Sequence, residues 1–169
     1  IVSFYGYGDI AGDWYSRPDP FYNRQPPVPK QEAYEAIGTG VISEDPDGAR
    51  WPFYLYTRQQ GIWPLEVVGY DPDNEPEKFD PFCPLRNVTK SYPPTLLLHG
   101  DADTDVPFDQ SVLMARELDR NGVHHEFIAL KGKEHGFDEA MDDPTIIKTF
   151  NKVLAFLELH LKPTKINYR

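Results

Sequence analysis

The feature that most constrains this chain is a short, wholly apolar run between a proline pair and a glycine. Thr95–His99 (TLLLH) follows Pro93-Pro94 and stops at Gly100. A continuous apolar run bounded by such residues predicts a strand buried on both faces, as in a parallel sheet. Residues 109–121 follow with helical spacing. Val112, Ala115 and Leu118 line one face, Asp109 or Ser111 can cap the start, and Gly122 stops the helix. His125–Leu130 (HEFIAL) predicts the next strand, and residues 131–143 a loop. Asp143-Pro144 then opens a long helix, with Asp as N-cap and Pro in the first turn. Its Ile146, Phe150, Val153 and Leu157 recur at helical spacing, Leu154 and Leu161 widen the stripe, and Lys162-Pro163 ends it. Strand–helix–strand–helix at this spacing predicts a right-handed crossover unit of an α/β protein with a parallel sheet.

The residues before this unit have a different character. Of 17 prolines 14 lie in residues 1–94, as do 17 of 23 aromatic residues, whereas all five histidines follow residue 98. This divides the chain into a strand at 1–5 (IVSFY, closed by Gly6 and Gly8), an insertion at 6–93, and the crossover unit at 94–169. Within the insertion, Pro29 with Ala33, Ala36 and Ile37 predicts a short helix ending at Gly38. Residues 49–60 predict a second helix with an aromatic surface, and DPDNEPEKFDPFCPL reads as loop. The insertion is expected at one end of the sheet. There Trp14, Tyr15, Trp51, Tyr54, Tyr56 and Trp63 either roof a pocket or form a small core of their own.

In a parallel α/β sheet, reacting groups gather at the carboxyl ends of the strands. After TLLLHG comes Asp101-Ala102-Asp103-Thr104-Asp105, and after HEFIAL comes Lys133-Glu134-His135-Gly136-Phe137. An acid after one strand and a histidine after the next converge at one sheet edge. That is the Asp–His half of a charge relay, in which the acid fixes the imidazole tautomer and the free nitrogen takes a proton from a nucleophile.

The segments HGDADTDVPF, ELDRNGVHHEFIAL and KEHGF resemble the C-terminal part of the α/β-hydrolase superfamily, in its esterase, lipase and prolyl-oligopeptidase-like members. The resemblance is strong over residues 93–161, and it extends to the opening strand and to PLRNVTKSYPP. It implies Asp103 as the catalytic acid, three residues after the glycine of HG, and His135 as the catalytic histidine before the glycine of HGF. The family's nucleophile stands in G-x-S-x-G on a strand-to-helix elbow that precedes the strand represented here by residues 1–5. None of Ser3, Ser16, Ser43, Ser91 and Ser111 has that setting. The nucleophilic serine and the oxyanion hole are therefore expected upstream of Ile1, on a missing N-terminal segment or a second chain beside strand 1–5. Two members of a triad without the third should hydrolyse poorly.

The implied function is a serine hydrolase of carboxylesterase type acting on a small-molecule ester without a cofactor. A serine aminopeptidase or oligopeptidase of the same fold is the alternative within enzymes. The alternative outside them is a non-catalytic domain that associates through its first strand, an apolar edge able to template pairing. A net charge of −10 excludes nucleic acid as an expected partner. No apolar run approaches the ~20 residues of a membrane span. The lone Cys83 excludes an intrachain disulfide and a multi-thiolate zinc site, and reads as packing. Asp101 and Asp105 read as turn residues and His99 as a structural residue near the site. The DxDxD string lacks the Gly and Glu of an EF-hand loop, having Val106 and Val112 there. His124 and His125 point to opposite faces of a strand and cannot share one ion.

Overall fold

A computed structural model describes residues 1–38 and 48–161 of the chain. Ser43 and the expected helix stop at Lys162-Pro163 lie outside the described residues. The chain divides into two compact units, Ile1–Gly8 with Val88–Arg169, and Asp9–Asn87. The second begins and ends a few residues inside the 6–93 segment that the sequence marks off.

The first unit is built on three parallel strands, β1 (Val2–Phe4), β2 (Thr95–Gly100) and β3 (His125–Leu130), in the order β1-β2-β3. Ser3 lies beside Leu97, and Leu97 beside Phe127. All six residues of β2 are buried. This central strand has a neighbour on each side and side chains packed on both faces, which is why TLLLHG shows no polar alternation. β3 is partly exposed, with Glu126 and Ala129 open to solvent and Leu130 buried.

Two helices complete the unit, α5 (Asp109–Arg120) and α6 (Pro144–His160). The main core joins Leu96 and Leu98 of β2 and Leu130 of β3 to Ile146, Val153 and Phe156 of α6, with Phe137 from the intervening loop. The Asp143 carboxylate accepts the Thr145 amide at 2.7 Å, as an N-cap should.

The expected core stripe of α6 needs correction. Ile146 and Val153 are buried, but Leu154 and Leu161 are 57% and 65% exposed, and Thr149 and Phe156 complete the buried face instead. At 100° per residue, a face centred on 146, 149, 153 and 156 turns position 154 away from the sheet. α5 is corrected likewise: Gln110, Ser111, Met114 and Leu118 are its buried residues, with Val112 and Ala115 half-buried. Neither Asp109 nor Ser111 caps it; the chain enters through Phe108 with no side-chain cap. Gly122, at φ +68°, reverses the chain after the helix.

The second unit is helical: α1 (Asp13–Ser16), α2 (Lys30–Ile37), α3 (Trp51–Gln60) and α4 (Trp63–Val68), with 3₁₀ turns at Tyr22–Arg24, Pro76–Phe82 and Pro84–Asn87. α2 and α3 fall close to where the sequence puts them. α1, α4 and the 3₁₀ turns within DPDNEPEKFDPFCPL were not expected, because none is long enough to show a helical period. Arg58 of α3, 1% exposed, anchors the interior. Its guanidinium lies 4.9, 4.8 and 5.6 Å from the rings of Tyr15, Tyr22 and Tyr54 and reaches Asp19 Oδ2 at 2.7 Å. Tyr15 also packs on Trp63, with ring centroids 5.3 Å apart. Several of the insertion's aromatic rings thus make a core of their own. Cys83 is buried in the same unit and donates to Asp9, in keeping with a packing role.

No helix among the described residues is long and apolar enough to cross a membrane.

Candidate active site

The site lies at the carboxyl ends of β2 and β3, where two loops are tied together by backbone contacts. Asp101 Oδ1 accepts the Gly132 amide at 2.5 Å, and Lys133 O accepts the Ala102 amide at 3.1 Å. Asp101 is therefore a turn residue that joins the loops, as its place in the sequence suggests. Gly100 permits this approach: a Cβ on it would stand 2.1 Å from Lys133 O. Gly100→Ala is expected to displace the loop that carries His135 and to cost roughly 1–3 kcal/mol, the usual range for overpacking. Urea denaturation of the variant measures it, and an unchanged midpoint would contradict the close approach.

Within this frame Asp103 and His135 meet. His135 Nδ1 is 3.0 Å from Asp103 Oδ2, across 32 positions of sequence. The Asp103 side chain is completely buried, whereas that of His135 is 37% exposed. The other carboxylate oxygen, Oδ1, accepts the amides of Asp105 at 2.9 Å and Val106 at 2.8 Å. The acid is thus held by its own turn while one oxygen faces the imidazole. Since the carboxylate accepts, Nδ1 carries the proton, which leaves Nε2 as the basic nitrogen.

His99 is fully buried and contributes more than packing. Its Nε2 is 2.9 Å from Val106 O, which can only accept, so Nε2 is the protonated nitrogen. The same N–H lies 3.4 Å from Asp103 Oδ2, and Nδ1 accepts from the Ser111 hydroxyl at 2.7 Å. Asp103 therefore stands between two histidines, one buried and one open. Burial alone would raise its pKa. The hydrogen bonds from His99, the Val106 and Asp105 amides and His135 outweigh burial and hold it below the usual carboxylate range.

A carboxyl group whose pKa is lowered by folding stabilises the fold above its unfolded pKa, and that contribution is lost as pH falls through the folded value. Asp103→Asn is therefore expected to lower the urea midpoint most at neutral pH, and the deficit should shrink as the pH drops below about 4. A deficit independent of pH would show that charge is not what Asp103 contributes.

Two further residues complete the surroundings of His135. Asp105 Oδ2 lies 3.6 Å from Nε2, so this acid does more than form a turn. Tyr5, at the end of β1, packs its ring on the imidazole with centroids 4.2 Å apart. The spacing of Asp105 two residues after Asp103 is visible in the sequence, whereas nothing local marks Tyr5, 130 residues away from His135. Of the described serines, Ser16 bonds Gly12 O, Ser91 pairs with Thr89, Ser111 is held by His99, and Ser3 lies within β1.

A parallel sheet flanked by helices, with an acid–histidine pair at the strand ends, defines a class of protein, and comparison with known proteins gives the family. The model of the Prolyl oligopeptidase family matches residues 48–164, more than half of the sequence. The chain belongs to that family and has the α/β-hydrolase fold. Esterase LipC of Mycobacterium tuberculosis is 36% identical over 94 residues, which is 54% of this chain and 23% of that protein. A protein of unknown function from Staphylococcus aureus superposes with a TM-score of 0.72 at 21% identity, over 95% of this chain and 56% of that one. Pyrococcus horikoshii acylaminoacyl peptidase superposes at 0.60 with 18% identity, over 99% of this chain and 21% of that one. These two structures share the fold. The chain spans about a quarter of the length of LipC and little more than half of the staphylococcal protein.

Proposed function

We propose that these residues supply the acid and the histidine of a serine hydrolase of carboxylesterase type. The observation that carries this reading is the 3.0 Å contact between His135 Nδ1 and the fully buried Asp103 side chain, at the carboxyl ends of neighbouring parallel strands. In the proposed reaction, a serine on a segment upstream of Ile1 attacks the ester carbonyl while His135 Nε2 takes its proton. Asp103 holds the imidazole by Nδ1 and stabilises the imidazolium that forms. The imidazolium then protonates the departing alcohol. In the second half, water attacks the acyl-enzyme with His135 again as base, and the acid is released. The upstream segment would add a strand beside β1, whose outer edge pairs with no strand among the described residues. The similarity to an esterase supports an ester as substrate.

A peptide substrate is the second reading, favoured by the match to the Prolyl oligopeptidase family. Parallel assays of the native-length protein on short-chain p-nitrophenyl esters and on aminoacyl p-nitroanilides test both readings, each beside His135→Ala. Ester turnover that the substitution abolishes supports the first reading, and anilide turnover alone supports the second. Turnover of either that survives His135→Ala overturns the charge-relay reading.

A further inference from the structure

We propose that Tyr5 is a positioning residue for His135: its ring, tied through its hydroxyl to Asp138, holds the imidazole with Nδ1 on Asp103. The inference rests on the charge-relay reading and extends it to a residue on a different strand.

A single hydrogen bond does not fix an imidazole, because the ring can turn about its side-chain bonds while more than a third of it is open to solvent. A second contact is needed, and one side chain provides it at several points. The Tyr5 ring packs on His135 at 4.2 Å with the planes inclined by 52°. It meets Phe137 edge to face at 5.3 Å. Its hydroxyl donates to Asp138 Oδ1 at 2.5 Å. Tyr5 therefore grips the turn after His135 on both sides of Gly136, at positions 135, 137 and 138. Phe137 belongs to the main core, so the brace is joined to the packed interior.

The backbone of Tyr5 points the same way. Its φ of +38° makes it the one non-glycine residue with positive φ among the described residues. A tyrosine stays in that region only where its surroundings over-determine it. Here the backbone amide still donates to Leu98 O at 2.7 Å, and the side chain is held at the three points named above. Burial, with the hydrogen bond to the Asp138 carboxylate, pushes the phenol well above its ordinary pKa, so the hydroxyl remains a donor throughout the neutral range. The carboxylates facing His135 are Asp103 on Nδ1 and Asp105 beyond Nε2. Tyr5 is the ring that decides which nitrogen meets which acid.

The experiment reads the tautomer of His135 from its side-chain ¹⁵N shifts in the labelled 169-residue chain, above the histidine titration range. His135→Ala identifies the signals. The native chain should show a single Nδ1–H tautomer. Tyr5→Leu should lose it, giving averaged shifts of the two tautomers while the remaining amide spectrum stays native. Tyr5→Phe keeps the ring but removes its tie to Asp138, and should show partial averaging toward the second tautomer, less than Tyr5→Leu; it also carries the test if the leucine variant does not fold. A Tyr5→Leu chain that keeps the single Nδ1–H tautomer overturns the proposal for Tyr5 and leaves the Asp103–His135 pair standing, as does a folded Tyr5→Phe chain that keeps it with no averaging. A native chain without the Nδ1–H form overturns the charge-relay reading itself, and the role of Tyr5 with it.

Discussion

The 169-residue chain by itself is expected to hydrolyse a short-chain p-nitrophenyl ester no faster than its own His135→Ala variant. The reason is chemical. His135 offers a basic Nε2, but no serine in this sequence stands on a G-x-S-x-G elbow to receive its help. Asp103 and His135 lower no barrier until a hydroxyl and an oxyanion hole are placed beside them. In the native-length protein the same substitution should be severe. Loss of a triad histidine costs on the order of 10⁴–10⁶ in kcat where serine and histidine act as a unit, and Asp103→Asn about 10⁴. Steady-state assays on the five proteins decide it. Robust turnover by the 169-residue chain that disappears with His135→Ala would place a nucleophile within these residues and overturn the expectation of an upstream serine.

Replacing Arg58 by Ala is expected to destabilise the Asp9–Asn87 unit by about 3–5 kcal/mol, the usual penalty for breaking a buried ion pair from one side. The guanidinium is 1% exposed and its partner Asp19 only 14%. Truncation leaves that carboxylate without its cation, removes the Tyr54 hydroxyl's partner at 2.6 Å, and opens a cavity among Tyr15, Tyr22 and Tyr54. Arg58→Met, which keeps much of the volume, should cost less. Trp14, Trp51 and Trp63 are the chain's three tryptophans and all lie in this unit, so tryptophan fluorescence during urea denaturation reports on it alone. A loss below about 1 kcal/mol, the value of an exposed pair, would mean that the cage contributes little.

Much of the candidate site was legible because its two main residues follow strongly marked strands. The burial of β2 on both faces forces an unbroken apolar run, and the residue types at its carboxyl end then stand out against it. The same reasoning reached Asp101 as a turn residue and His99 as a structural one. It did not reach the hydrogen bond from Ser111 to His99 or the approach of Asp105 to Nε2, because those depend on how the turn after Gly100 folds back. The helix faces were legible in period and less so in phase. A stripe containing Ile146 and Val153 is evident, but whether Leu154 or Phe156 joins it depends on the angle at which α6 meets the sheet.

The sequence by itself determined the elements whose signal is local: three strands, the two helices around them, the cap at Asp143, and the acid and histidine that follow successive strands. Apolar period, punctuating Gly and Pro, and capping residues act over a few positions, so they can be read without the fold. Only the tertiary structure decided what lies next to what. It packed Tyr5 on His135 across 130 positions and set a buried histidine behind Asp103. It also centred an arginine among three tyrosines drawn from separate segments. Such contacts are fixed by chain reversal and close packing, which bring together residues that no short-range pattern connects.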